Sequence, residues 1–182
     1  MEQYVAPPEL LKGKTILVTG AGDGIGKAAA LSFAKHGATV ILLGRTTSKL
    51  EALYDEITSA GYPEPIIHPM DLQYASEEDY KVLGTSIVEQ FDCLDGLLHN
   101  AAVLGPRAPI EFYPHEAWMK VMQINVNAAY ALSRALLPAL QAAPSASVVF
   151  TSSSVGRKGR AYWGAYSVSK FAVEGLMQVL AD

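Results

Sequence analysis

The stretch T-G-A-G-D-G-I-G, Thr19 to Gly26, decides the fold of this chain. It follows the apolar run Ile16, Leu17, Val18 and precedes the helical pattern Lys27 to His36, so it reads as a strand, a glycine turn and a helix start. Such a turn cradles a phosphate. Glycine at positions 20, 24 and 26 lets the backbone take up positive φ and approach a pyrophosphate closely, while the N–H groups and positive dipole end of the next helix face the anion. A tight βα turn would use the same residue types. The spacing G-x-x-x-G-x-G also departs from the common fingerprint G-x-G-x-x-G.

Outward from this loop, apolar runs alternate with amphipathic stretches, which predicts βα units around a parallel sheet. The strands read as Thr15 to Thr19, Thr39 to Leu43, Ile66 to Met70, Leu94 to His99 and Ser147 to Thr151. Several are almost continuously apolar, as strands covered on both faces are. Helices are expected near Gly24 to His36, Ser48 to Ala60, Ser76 to Phe91 and Pro114 to Ala143, with a last one from Tyr162 onward. Ser48 with Glu51, and Ser76 with Asp79, have capping-box spacing and predict helix starts. Pro138 is expected to kink the fourth helix.

The 182 residues are enough for one domain with a sizeable core. A net charge of -4 and a pI of about 5.5 leave no basic footprint for nucleic acid. The single cysteine, Cys93, cannot form an internal disulfide and fits a reducing cytoplasm. The N-terminus lacks the pattern of a secretory signal. The apolar stretch Ala128 to Ala143 is broken by Arg134 and Pro138, so no membrane span is read. No metal ligands are assigned.

Tyr166 and Lys170 lie four apart on the last helix, so their side chains emerge on one face. A nearby ammonium stabilises a phenolate and can make a tyrosine useful in proton transfer at neutral pH. Two exposed helical side chains would satisfy the same spacing. The motif S-S-V-G, Ser153 to Gly156, ends the fifth strand, and Ser153 stands thirteen residues before Tyr166. With the glycine loop, this pattern resembles the short-chain dehydrogenase/reductase family. Ser153 matches the family's serine, with Ser152 and Ser154 as competitors, and Asn125 in I-N-V-N matches its helix asparagine in preference to Asn127.

The resemblance extends to Asp71-Leu72, which in the family meet the adenine, and to Asn100-Ala101, which border the cofactor. In H-N-A-A, His99 and Ala102 replace the more usual asparagine and glycine. His99 reads as a hydrogen-bonded core residue rather than a catalytic base. The cofactor set is therefore Gly20, Asp23, Gly24, Ile25, Gly26, Arg45, Asp71, Leu72, Asn100 and Ala101, with Tyr166 and Lys170. In V-I-L-L-G-R, Gly44 stands where NAD-preferring relatives carry aspartate, and Arg45 suits a 2'-phosphate. NADP(H) is the expected cofactor, with NAD(H) as the alternative. Asp23 argues slightly against this, because many NADP enzymes have a cation nearby.

The run V-F-T-S-S-S-V-G-R-K-G-R-A, with W-G-A-Y and S-K-F-A, looks most like the YciK-type bacterial oxidoreductases of that family. The resemblance implies a doubly wound, Rossmann-like parallel sheet in the order 3-2-1-4-5, with the family's usual last two strands, a covering helix and a substrate lid beyond Asp182. On that reading the chain is incomplete at its C-terminal end. It also implies a small-molecule carbonyl or alcohol substrate and a homodimer or homotetramer. Ser153 would hold the carbonyl, Tyr166 would give a proton, Lys170 would hold the nicotinamide ribose and Asn125 would hold a water. A nucleotide-binding protein without turnover is the alternative. Arg157, Lys158 and Arg160 are expected to form a positive rim at the pocket mouth.

Overall fold

The computed structural model describes residues 5–182. Five strands, β1 (Thr15–Thr19), β2 (Thr39–Gly44), β3 (Ile66–Pro69), β4 (Gly96–His99) and β5 (Ser147–Phe150), form one parallel sheet in the order β3-β2-β1-β4-β5. The expected order is therefore the observed one. Six α-helices connect and flank them: α1 (Gly24–Lys35), α2 (Thr47–Ser59), α3 (Glu77–Phe91), α4 (His115–Met122), α5 (Ala128–Ala142) and α6 (Gly164–Ala181).

Strand alternation divides the core in two. Val18, Val40 and Leu42 pack with Ala30 and Ala34 of α1 and Leu53 and Ile57 of α2 on one face. Leu17, Ile41 and Leu43 face the other way, against Leu83 and Ile87 of α3 and Leu132 and Leu136 of α5. Every residue of β1 is buried, which is why its sequence is a continuous apolar run rather than an alternating one. At the sheet edge, β5 alternates: Val148 and Phe150 are half-buried, whereas Val149 is exposed.

Several local expectations are corrected. The helix read over Pro114 to Ala143 is three pieces, because a π turn, Gln123–Asn127, separates α4 from α5. Its widened loop is closed by the Ala128 N–H donating to the Gln123 carbonyl. The irregularity falls there and not at Pro138, which lies inside α5. Helix α2 starts after Thr46, so Ser48 lies within its first turn and caps nothing. By contrast, Ser76 and Asp79 form the expected reciprocal pair: the Asp79 N–H donates to Ser76 Oγ at 3.2 Å and the Ser76 N–H donates to Asp79 Oδ2 at 2.7 Å. Helix α6 starts at Gly164 rather than Tyr162, whose φ of 70° places it in the preceding turn.

The chain moves outward from β1 through β2 to β3, then returns to the far side of β1 as β4. Loops after β1 and β4 consequently leave the sheet in opposite directions, opening a crevice at the C-terminal ends of the strands.

Candidate active site

A cleft of about 380 Å³ occupies this crevice. It brings together Gly20, Asp23, Gly24, Arg45, Asp71, Leu72, Asn100 and Ala101, eight of the residues named from sequence. Ile25 and Gly26 do not line it. Ile25 is exposed, and Gly26 is buried beneath the turn. Gly20 and Gly24 have φ of 67° and 51°, but Gly26 does not have positive φ. Its requirement is space: a Cβ there would lie 2.2 Å from the Gly20 carbonyl oxygen and 2.6 Å from Asn100 Nδ2. Gly26 thus sets the height of the turn rather than its backbone twist.

Three strand ends are stitched below the cleft by Asn100, named from sequence, and by Thr19 and Thr151, which were not. Thr19 Oγ1 accepts from the N–H groups of Asn100 and Ala101, both at 3.0 Å, and donates to the Leu98 carbonyl. The Asn100 amide donates to the Thr19 carbonyl and accepts from Thr151 Oγ1. Asn100 therefore ties β1 and β4 to the end of β5 and is fixed before any ligand arrives. The available signal was Thr19, a threonine ending the fully buried β1 where an apolar residue would otherwise be favoured; Thr151, after the edge strand β5, carries no such signal.

The far end of the cleft carries positive charge. Lys49, from the first turn of α2, lines it beside Arg45 and pairs with the Asp23 carboxylate, which also caps α1 by accepting from the Gly24 N–H at 2.8 Å. The Lys49 ammonium and the Gly24 N–H hold the Asp23 carboxyl below its ordinary range. Asp23, already paired with Lys49, counts less as an opposing charge beside Arg45. The glycine floor, the open start of α1 and these two cations suit a dinucleotide with an added phosphate. A Cβ on Gly20 would sit 3.0 Å from Ala101 Cα and fill part of that floor.

Across the ends of β4 and β5 lie the residues read as catalytic. Tyr166 and Lys170 share a face of α6, with the Lys170 ammonium 5.5 Å from the centre of the Tyr166 ring. Lys170 is buried and donates to the Thr151 carbonyl at 2.6 Å. Burial pushes its pKa down from the ordinary lysine value. Gly156 packs against it so closely that a Cβ would meet Lys170 Cβ at 2.8 Å. Ser153 caps the short turn Ser154–Gly156, its Oγ accepting from the Val155 N–H at 3.4 Å. The competing Ser152 hydroxyl is buried beside Glu174, while Ser154 is exposed.

Asn125 is buried inside the π turn. Its Oδ1 accepts from the Val103 N–H at 2.8 Å, and its Nδ2 donates to the Val103 carbonyl and to Ser169 Oγ, both at 3.0 Å. Both amide hydrogens are used in joining the loop after β4 to α6. Asn127 is exposed and donates to Gln123. Asn125, Thr151, Lys170 and His99 border a space of about 10 Å³, the scale of one water molecule.

His99 is buried, stacks on Phe150 with ring centres 4.6 Å apart, and its Nε2 lies 2.9 Å from Ser133 Oγ. Burial pushes its pKa down to about 4. An unfolded histidine protonates near 6.5, so between these values the unfolded chain binds more protons and stability falls as pH falls. The loss from His99 is expected to reach about 3 kcal/mol on acidification to pH 4, with His68, whose pKa burial also lowers, adding in the same direction. Urea unfolding followed from neutral to acid pH checks this, and His99→Gln should flatten the slope. An equally steep slope in the variant would assign the acid sensitivity elsewhere.

A glycine-floored crevice at the switch point of a parallel sheet, with a tyrosine and lysine one helical turn apart beside it, defines a dinucleotide-binding α/β protein. Residues 14–182 match the short chain dehydrogenase family, and the chain belongs to it. It is 49% identical over 179 residues to an uncharacterised oxidoreductase, YciK, of Escherichia coli K12, a match spanning 98% of this chain and 71% of that protein. A short chain dehydrogenase structure from Pseudomonas syringae superposes with a TM-score of 0.97 at 58% identity, covering 100% of this chain and 75% of that one. Another, from Escherichia coli CFT073 and solved in complex with NADPH, has a TM-score of 0.95 at 49% identity, covering 97% and 74%. No helix among the described residues is long and apolar enough to cross a membrane, and no cluster of three metal-ligating side chains occurs among them.

Proposed function

We propose that this protein is an NADP(H)-dependent oxidoreductase that interconverts a carbonyl and an alcohol, with Tyr166 as general acid and base. The observation that carries the reading is the pairing of Tyr166 with the buried Lys170 ammonium 5.5 Å from its ring, across the strand ends from a dinucleotide-sized cleft. Family membership and the NADPH-bound relative support it. NADPH, when bound, supplies the hydride that the carbonyl carbon accepts. Ser153 donates a hydrogen bond to the carbonyl oxygen and Tyr166 gives that oxygen a proton, leaving an alcohol. Lys170, fixed on the Thr151 carbonyl, favours the phenolate that remains and holds the nicotinamide ribose. Asn125 acts chiefly as an anchor, because its amide hydrogens are committed to Val103 and Ser169.

The test is NADPH consumption with a panel of aldehydes and ketones, run beside thermal melting with the cofactor. Melting protection without consumption would return the reading to nucleotide binding alone. Arg45 and Lys49 together are proposed to take the 2'-phosphate. Arg45→Ala is expected to weaken NADPH binding roughly 10- to 100-fold, the scale of a charge-assisted hydrogen bond, with NADH little changed. Calorimetry showing the same loss for both cofactors would remove Arg45 from cofactor choice. Self-association is proposed too, supported by the exposed Tyr130 of α5 and Val168 and Phe171 of α6. Light scattering that finds a monomer at micromolar concentration would refute it.

A further inference from the structure

Charge is unevenly spread over this acidic chain. Residues 96–110 and 144–173 carry Arg107, Arg157, Lys158, Arg160 and Lys170 but not one aspartate or glutamate. These two segments supply the ends of β4 and β5, the loops that follow them and the first turns of α6. Two of the cations are committed: Lys170 to the Thr151 carbonyl and Arg157 to Glu174 at 3.4 Å. The expected rim of Arg157, Lys158 and Arg160 is therefore partly neutralised.

Arg107 is held by an aromatic ring rather than by an acidic or carbonyl partner. Its guanidinium carbon lies 4.4 Å from the centre of the Trp163 ring, and the Trp163 ring lies 6.0 Å from that of Tyr166. It makes no salt bridge among the described residues. Tyr113 fixes both halves of the stack. A Cβ on Gly105, two residues before Arg107, would meet the Tyr113 hydroxyl at 2.4 Å; one on Gly164, immediately after Trp163, would meet the Tyr113 ring at 2.4 Å. Both glycines have positive φ, so the two backbones are shaped to close around that ring. Trp118 meets Tyr113 edge-on at 6.2 Å. The Arg107 guanidinium lies over the ring and donates no side-chain hydrogen bond among the described residues, so its N–H donors remain available to a carboxylate or phosphate.

We infer that Arg107, held on Trp163, binds an anionic group, carboxylate or phosphate, of the substrate whose carbonyl is presented to Tyr166. This rests on the reading of Tyr166 as general acid. The two ring contacts, Arg107 to Trp163 and Trp163 to Tyr166, place the cation one aromatic residue away from the proposed proton donor, which suits a compact substrate. Arg45 and Lys49, proposed for the added phosphate of the cofactor, follow β2, on the opposite side of β1 from the loop after β4 that carries Arg107. Charge at the Arg107 end is therefore available for the substrate.

The experiment compares NADPH-dependent reduction of para-carboxybenzaldehyde and para-formylphenyl phosphate with that of the neutral methyl para-formylbenzoate. Wild type is expected to favour at least one anionic compound in kcat/KM by tenfold or more. Arg107→Ala should abolish that preference and Lys158→Ala should retain it. No preference in wild type, a preference that survives Arg107→Ala, or an equal fall in Lys158→Ala would each overturn the inference. If none of the three aldehydes is reduced, the reading of Tyr166 falls first. Calorimetry with para-carboxybenzyl alcohol and its methyl ester then decides the anion site separately. Tighter binding of the acid that depends on Arg107 supports the site, and equal binding of acid and ester removes it.

Discussion

Tyr166→Phe is expected to leave a folded protein with most of its NADPH affinity and a kcat lowered by at least about 10²-fold, within the range for losing general acid catalysis. The substitution removes one hydroxyl and keeps the ring. The packing of that ring near Trp163 and the position of Lys170 on the Thr151 carbonyl do not depend on the hydroxyl. Lys170→Ala should behave differently, damaging cofactor binding and turnover together, because it also leaves the Thr151 carbonyl without its donor. Single-turnover NADPH oxidation with a reducible aldehyde, alongside circular dichroism, makes the comparison. Equal rates from two well-folded proteins would exclude Tyr166 from the chemistry.

Gly26→Ala should fail for a steric reason. The new methyl would stand 2.2 Å from the Gly20 carbonyl oxygen, and neither backbone can yield without moving the floor of the cleft or the Asn100 stitch beneath it. A cost of about 3 kcal/mol, the upper part of the usual range for overpacking, is expected in urea unfolding, together with at least about a 10²-fold loss of NADPH affinity. Gly175→Ala is the control. That glycine is on the exposed side of α6, where an added methyl would meet nothing within 4 Å, so alanine should raise stability by up to about 1 kcal/mol. Unchanged NADPH binding by Gly26→Ala would show that the turn tolerates a wider separation than its contacts indicate.

The strand order is reached through the family resemblance, whereas β1 is legible in the residues themselves, because a strand buried on both faces has a continuous apolar centre, Ile16, Leu17 and Val18. The start of β4 is harder to read. Sequence places the start at Leu94, yet β4 begins at Gly96: the Asp95 carboxylate accepts from Lys14 at 2.7 Å and from the Thr15 N–H at 2.9 Å, so it serves the beginning of β1 instead. Ser76 is legible as a cap because its partner is three residues away. Lys49 is not legible as a member of the site, since its pairing with Asp23 crosses from one βα unit to the next. The catalytic candidates are reached through spacing and family resemblance. Their supports, Thr19 and Thr151, are not, because hydrogen bonds between distant strand ends leave no local pattern.

The π turn separates what belongs to the core from what belongs to the site. One extra residue is taken up inside a single widened turn, so α4 and α5 keep on either side of it the phase of a regular helix. Deleting that residue would leave Leu132, Leu136 and Ala139 against the sheet but remove the widening that carries Asn125, and with it the tie between Val103 and Ser169. The irregularity therefore serves the loop after β4 and α6 rather than the packing of the helix that contains it.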